Sequence, residues 1–262
     1  MLRVATWNVN SIRVRLPRLL AWLARTKPDV LCLQELKCTE ANFPFEALQE
    51  AGYAASVYGQ KTYNGVALLS RQPATEVQCG FAADDDPQAR LIAGVVQGVR
   101  VVSVYVPNGS HPDSDKYAYK LDWLARFERW LKAELETGHP LIVGGDFNIA
   151  PTDLDVASPA TWQDSVLCHE AVRTAWQRLL ALGLVDVFRQ LHRGAAAYSW
   201  WDYRQLAFAR GEGLRIDHVL ASAPLTPRLQ SAHIDRDERK GSKPSDHAPV
   251  ITTFDQRSRR GA

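Results

Sequence analysis

The sequence predicts a mixed α/β fold of two mostly antiparallel sheets packed face to face with helices outside, forming one domain over residues 1–255. Three observations carry this. Strand and helix periodicities alternate at the N-terminus, four strand-like runs then follow with only short polar or Gly-containing breaks, and no Pro/Gly/Ser-rich stretch or charge block divides the 262 residues. A doubly wound parallel sheet is the alternative, weakened by the consecutive hairpins.

Residues 2–7 alternate as a strand does, and Leu16, Leu19, Leu20 and Leu23 then fall at helical spacing around Pro17, a residue favoured in a first helical turn. Residues 29–33 form a second apolar strand ending at Gln34 and Glu35, and residues 45–51 predict a short helix closed by Gly52. The four strand-like runs are 53–58, 65–70, 91–97 and 99–106, read together as an antiparallel meander. A helix over 116–135 carries Leu121, Leu124, Leu131 and Leu135 on one stripe, and residues 141–145 form a buried strand leading to Asp146. Beyond it the pattern gives a helix over 169–182 and strands over 214–220, 230–235 and 249–254. Residues 256–262, with Arg257, Arg259 and Arg260, read as a solvated basic tail.

A hydrophobic fraction of 46% with eight Trp can fill a sizeable core and excludes a disordered composition. No apolar run approaches the ~18 residues of a membrane span, and the opening leads into a strand, so a cytoplasmic protein with no membrane partner is expected. Cys32, Cys38, Cys79 and Cys168 form no CxxC and sit mostly in apolar company, as reduced thiols do, which argues against a disulfide frame or zinc site. A net charge of +2 is too small to announce nucleic-acid binding, so that case must rest on local clusters.

Polar residues collect at strand ends. Asn8 and Asn10 follow the first strand, Glu35 the second, and Asp146 with Asn148 follows 141–145, while Tyr105 lies near the end of another strand. Asp217 and the Asp246-His247 pair stand at strand beginnings, and in an antiparallel arrangement such ends and beginnings share an edge. A lone Asp at a strand end is usually a turn or a cap. Four carboxylates with a His, several Asn and a Tyr are costly to gather unless a cation or a polar substrate neutralises them. Oxygen ligands without a thiolate favour a hard ion, Mg²⁺ or Mn²⁺, over zinc. His247 is the one histidine of seven embedded in such a cluster; His218 reads as a strand residue beside Asp217 and the others as surface or turn residues.

Six motifs are specific enough to suggest a family: Trp7-Asn-Val-Asn-Ser-Ile-Arg13, Leu33-Gln-Glu-Leu-Lys37, Tyr105-Val-Pro-Asn108, Gly145-Asp-Phe-Asn-Ile-Ala150, Leu214-Arg-Ile-Asp217 and Ser245-Asp-His-Ala-Pro249. In order and spacing the chain resembles exonuclease III-type abasic endonucleases from Leu2 to Phe254. The resemblance implies the four-layered α/β-sandwich of the endonuclease/exonuclease/phosphatase superfamily. Because that superfamily also holds inositol phosphatases, sphingomyelinases and deadenylases, the Asp146 and Asp246-His247 motifs alone imply only a metal-assisted phosphoesterase. Ser199-Trp-Trp-Asp-Tyr-Arg204 followed by Gly213-Leu-Arg-Ile-Asp217 is similar to the abasic branch, in which Trp200, Leu214 and Ile216 line a pocket for an extruded baseless sugar. A pocket too tight for a base selects by exclusion, and an abasic nucleotide costs little to flip out.

The resemblance further implies that Glu35, Asn10 and Asp246, with Asn8 nearby, organise Mg²⁺, with Mn²⁺ as a substitute. Asp146, oriented by Asn8 and Asn148, is implied to position and deprotonate the attacking water. His247 paired with Asp217, together with Tyr105 and Asn148, is implied to donate to the phosphate. Backbone contacts to duplex DNA with abasic sites or blocked 3′ ends fall to Arg13, Lys61, Tyr63, Asn64, Asn108, Arg204 and Arg210. The protein is expected to be a monomer, nucleoid-associated through DNA. Asn10 replaces an acidic residue of mammalian relatives, as in the bacterial branch, and Leu214 replaces an aromatic wall. A member working mainly as a 3′ phosphatase or 3′→5′ exonuclease is the competing enzyme reading, and a catalytically silent DNA-binding module would require lost ligands that are all present.

Overall fold

The computed structural model describes residues 1–81 and 86–255; the basic tail expected over 256–262 lies outside them. Strand β1 (Leu2–Asn8) is buried on both faces, as a central strand between two layers must be. It pairs in parallel with β2 (Val30–Gln34) and antiparallel with β12 (Val250–Phe254), and the sheet extends to β3 (Ala54–Tyr58), β4 (Val66–Ser70) and β11 (Leu229–Ile234) in the order β11-β12-β1-β2-β4-β3. The second sheet runs β5-β6-β7-β8-β10-β9, comprising β5 (Thr75–Cys79), β6 (Leu91–Val96), β7 (Val99–Tyr105), β8 (Leu141–Asp146), β9 (Leu184–Asp186) and β10 (Asp217–Ser222).

Three apolar layers hold the four structural ones together. Val4, Cys32, Val66, Leu68, Val101, Ile142 and Val219 fill the space between the sheets. Trp7, Leu31 and Leu33 pack outward against Leu19, Trp22 and Leu23 of α1 (Ile12–Thr26) and against Leu48 of α2 (Phe45–Glu50). Val102, Val104, Val143 and Leu220 pack outward against Trp123, Leu124 and Phe127 of α3 (Asp115–Glu136), joined by Trp176 and Leu179, which lie beyond the short α4 (Pro159–Trp162) on α5 (Glu170–Ala181). Two further short helices, α6 (Val187–Leu191) and α7 (Ala207–Arg210), complete the chain.

The four-layered sandwich is as expected, with four local differences. The four strand-like runs do not make one meander: β3 and β4 pair in the first sheet, β6 and β7 in the second. β4 and β6 instead meet face to face, since each is buried on both faces and neither could leave a side to water. β5 and β9 were missed, the first a largely exposed polar edge strand, the second only three residues long. α1 begins at Ile12, so Pro17 lies inside the helix, and the strand read from 214 begins only at Asp217.

His218 is the embedded histidine that sequence reading treated as ordinary. Arg215 donates to Asp155 at 2.7 Å and to His218 Nδ1 at 2.8 Å and pairs with Asp186 at 2.8 Å, while His218 Nε2 donates to the Ile149 carbonyl at 2.8 Å. Since arginine can only donate, the ring is the neutral Nε2–H tautomer. Burial and then Arg215 lower its pKa from 6.5 to about 4. Between those values the unfolded chain takes up a proton that the folded chain refuses, so stability falls as pH drops through this window, by roughly 2–3 kcal/mol from this residue between pH 6.5 and 4.5. Asp155 and Asp186 act in the same direction lower down: burial alone would raise both, but Arg215 holds them below the carboxylate range, and their contribution goes as they protonate. Thermal midpoints of wild type and His218→Gln across pH 4.5–7 check this; the variant should have the shallower slope, and identical slopes would contradict the assignment.

Candidate active site

The cluster forms where strand ends meet. β1 and β2 run in parallel and release Asn8 and Glu35 at the same edge, and the antiparallel β8–β10 register sets Asp146 opposite Asp217. Parallel pairing of β7 with β8 brings Tyr105 level with Asp146. An isolated bridge between Trp200 and His247 ties the remaining loops to this edge. Asn10, Glu35 and Asn148 all take positive φ, of 43°, 51° and 49°, conformations that for a non-glycine residue cost of order 1 kcal/mol or more and gather where function fixes the backbone.

Around Glu35, Tyr105 Oη donates at 2.8 Å and Asn8 Nδ2 at 3.0 Å to Oε1, while Lys37 Nζ lies 2.9 Å from Oε2. Burial would raise the Glu35 carboxyl, but Lys37 and Asn8 outweigh it and hold the group below its usual range. Burial first, then Glu35, pushes Tyr105 well above the usual phenol range, so it is a proton donor at neutral pH. Asn8 Nδ2 also donates to Asp146 Oδ2 at 2.9 Å, and its oxygen accepts from the Asn10 amide at 3.0 Å. With its NH₂ turned to two carboxylates and its oxygen to the Asn10 backbone, Asn8 orients the groups expected around the metal.

Asp146 Oδ1 accepts from the Asn148 amide at 2.9 Å, and Oδ2 lies 3.7 Å from His247 Nε2. Burial pushes the Asp146 carboxyl upward; His247 opposes this and Asp217 adds to it. His247 Nδ1 donates to Asp217 Oδ2 at 2.9 Å, and Ser199 Oγ donates to the same oxygen at 2.6 Å. Burial alone would lower the imidazole pKa, yet Asp217 and Asp146 raise it to about 10, so the ring is protonated and its Nε2–H faces the cleft side. On the other flank, Asp246 accepts from Asn10 Nδ2 at 2.8 Å and from Trp200 Nε1 at 3.1 Å. Lys37 reaches Asn10 Oδ1 at 2.5 Å, linking this flank to Glu35.

Ligand atoms of Glu35, Asp146 and His247 lie within 4.8 Å of one another. With the imidazole protonated on both nitrogens, the carboxylates of Glu35 and Asp146 remain, and Asp246, linked to Glu35 through Asn10 and Lys37, adds a third. That donor set fits a hard divalent cation. The buried Cys32, whose pKa burial pushes up to about 12, supplies no thiolate.

A cleft of ≈ 740 Å³ opens over the cluster, lined by Glu35, Tyr105, Asn108, Asp146, Asn148, Trp200, Arg204, Ile216, Asp246 and His247. Trp162, not anticipated from sequence, packs edge-to-face on Trp200 at 5.8 Å and lines the same cleft with Ser165, Val166 and Leu167. Leu214, expected on the wall, is fully buried, because its backbone bridges both Val156 and Trp200; Ile216 alone of that pair reaches the lining. A second opening of ≈ 640 Å³ shares Tyr105 and Asn108 and holds Tyr63 and Asn64, joined by the unanticipated Arg90 and Lys116. Asn64 is buried on Gln60 and Gln88, Arg13 and Lys61 are exposed outside both openings, and Arg210 pairs with Glu212. Arg204 stands at the rim, paired to Asp202 at 2.7 Å.

The endonuclease/exonuclease/phosphatase family profile matches residues 5–247. Exodeoxyribonuclease III of Haemophilus influenzae is 35% identical over 266 aligned positions, covering 97% of this chain and 100% of that one. A 3′ phosphatase from Neisseria, solved bound to a product DNA hairpin, is 46% identical with a TM-score of 0.95, covering 97% of this chain and 100% of the other. An AP endonuclease from Archaeoglobus fulgidus is 40% identical with the same TM-score and the same coverage.

Proposed function

The chain belongs to the endonuclease/exonuclease/phosphatase family, and we propose that within it this DNA-hydrolysing repair enzyme cuts the phosphodiester 5′ to abasic sites in duplex DNA and also clears blocked 3′ ends. One observation carries the abasic assignment. Trp200, held by Asp246 on one side and Trp162 on the other, sets an apolar wall with Ile216 beside the protonated His247. A baseless sugar can lie against such a wall, whereas an intact nucleotide must also accommodate its base.

Asp146 holds the attacking water and takes its proton; its raised proton affinity suits a general base. His247, kept protonated by Asp217, donates from Nε2 to a phosphate oxygen, and Asn148 adds an amide donor. Tyr105, protonated, would turn its single O–H from Glu35 to the same phosphate or to the departing 3′ oxygen. Glu35, with Asp246 and Asn10, would hold Mg²⁺, replaceable by Mn²⁺. The chemistry such an ion would supply there is neutralisation of phosphate charge and assistance to the leaving group. The DNA backbone follows the two adjoining openings past Arg204, Asn108, Tyr63 and Asn64, with Arg13, Lys61 and Arg210 at greater distance. Residues 1–255 act as one domain and the enzyme works as a cytoplasmic monomer brought to the nucleoid by DNA; no described helix is long and apolar enough to cross a membrane.

A second reading, mainly 3′-end trimming, has the Neisseria 3′ phosphatase in its favour. Comparing incision of a tetrahydrofuran abasic duplex, 3′-phosphate removal and 3′-end degradation in wild type and Trp200→Ala separates the two. Loss of the indole wall removes apolar contact worth ~1–3 kcal/mol, so abasic incision should fall about one to two powers of ten in kcat/KM while binding to intact duplex holds. Equal losses in every activity and in duplex affinity would make Trp200 a general support and overturn the abasic-wall assignment.

A further inference from the structure

We propose that Lys120 is a positioning residue, clamping three backbone segments beneath the cleft with one ammonium and so fixing where Asn148 stands. Lys120 lies on α3 yet is fully buried, the opposite of the usual fate of a helix lysine. Its Nζ donates to the carbonyls of Asn148 at 2.7 Å, Val166 at 2.7 Å and Asn108 at 3.1 Å. An ammonium has three hydrogens, and all three are used on backbone; none goes to a carboxylate.

Each carbonyl belongs to a different segment around the cleft. Asn108 follows β7 and Tyr105, Asn148 follows β8 and Asp146, and Val166 stands on the wall with Trp162. Their side chains interlock above the clamp: Asn108 Nδ2 donates to Asn148 Oδ1 at 2.9 Å, and Asn148 Nδ2 donates to the Val106 carbonyl at 3.0 Å. Asn148 is held at a φ of 49°, a left-handed conformation that asparagine tolerates better than most residues but that the clamp helps to fix. Gly109, at a φ of 99°, lets the loop pass over the lysine stem; a Cβ there would lie 3.1 Å from Lys120 Cδ. Burying an ammonium without a paired carboxylate is costly: burial lowers the Lys120 pKa to about 7 although the charge of Asp146 opposes it, and only the protonated form has the three hydrogens that the three carbonyls take. Replacing it with an apolar chain of similar length leaves three buried carbonyls without this donor, and the left-handed Asn148 is the one free to relax.

The inference rests on the reading of Asn148 as a donor at the phosphate, and its test is a double-mutant cycle of Lys120→Met, Asn148→Ala and the pair. Turnover is measured on whichever of the abasic, 3′-phosphate and 3′-end substrates the wild type hydrolyses fastest, so a failure of the abasic assignment leaves the cycle readable. Lys120→Met should lower kcat at least 30-fold with KM and affinity for uncut duplex within threefold, and the double variant should be no worse than Asn148→Ala alone. A purely structural lysine would instead give losses that multiply. Multiplying losses, or a Lys120→Met kcat within threefold of wild type, would overturn the proposal. If Lys120→Met does not fold, Lys120→Gln takes its place in the same cycle; if neither folds, Lys120 is a fold residue and the positioning role is withdrawn.

Discussion

Asp146→Asn is expected to lower turnover by ~10²–10⁴-fold while leaving the affinity for uncut duplex within a few fold, because it removes the group that takes the water's proton and little that holds the ground state. The substitution is nearly isosteric. It keeps one of the two oxygens that accept from Asn8 and Asn148, sets an NH₂ where the other stood, and removes a carboxylate that is fully buried opposite Asp217. Burying a charge there is unfavourable without a cation, so the thermal midpoint should hold or rise in the absence of metal. Single-turnover cleavage, a duplex-binding isotherm and a melting curve on one preparation measure all three quantities. Near-normal turnover would remove Asp146 from the chemistry.

Asp217→Asn should cost ~10²–10³-fold, the scale of losing one pre-organised donor at developing negative charge, although Asp217 itself stands behind His247. Its carboxylate is the largest of the influences that raise the His247 pKa, to about 10, against the lowering effect of burial. With an amide in its place the imidazolium loses that partner and its pKa falls, so the protonated donor is depleted from the alkaline side. The pH–turnover profile should therefore lose its high-pH limb first, with the deficit smallest at acidic pH. A deficit independent of pH would show that Asp217 acts by orientation alone. His247→Gln, which cannot be protonated, should show the full loss at every pH.

The site was legible because each of its polar residues interrupts or terminates an apolar run: Asn8 after a buried strand, Glu35 after another, Asp146 after Leu141–Gly145. Such positions stand out against a strand's period of two, and the sheet register then does the assembly. What escaped notice lacked that contrast. Lys120 sits between Tyr119 and Leu121 on an amphipathic helix, where a lysine ordinarily snorkels to water, and nothing local signals three waiting carbonyls. Arg215 and His218 flank Ile216 and Asp217 at one strand entry, and their partners come from far along the chain, Asp155 from a short turn and Asp186 from the end of β9. Leu214 was placed on the pocket wall by resemblance to relatives with an aromatic there, whereas its two backbone bridges carry it into the core. Trp162 belongs to a four-residue helix too short to register as a pattern. The split of the hairpins between two sheets was hidden for a similar reason: periodicity identifies a strand buried on both faces but does not say which sheet receives it.

The central claim is metal-dependent hydrolysis on the 5′ side of an abasic site by this one cleft, and the most direct measurement is incision of a duplex bearing a single tetrahydrofuran residue, with Mg²⁺ and with excess chelator. One cut immediately 5′ to the lesion, leaving a 3′ hydroxyl, is expected in the presence of Mg²⁺, and none once the metal is removed. No cut with Mg²⁺ and Mn²⁺ both supplied, or a cut that persists undiminished in chelator, would contradict that claim.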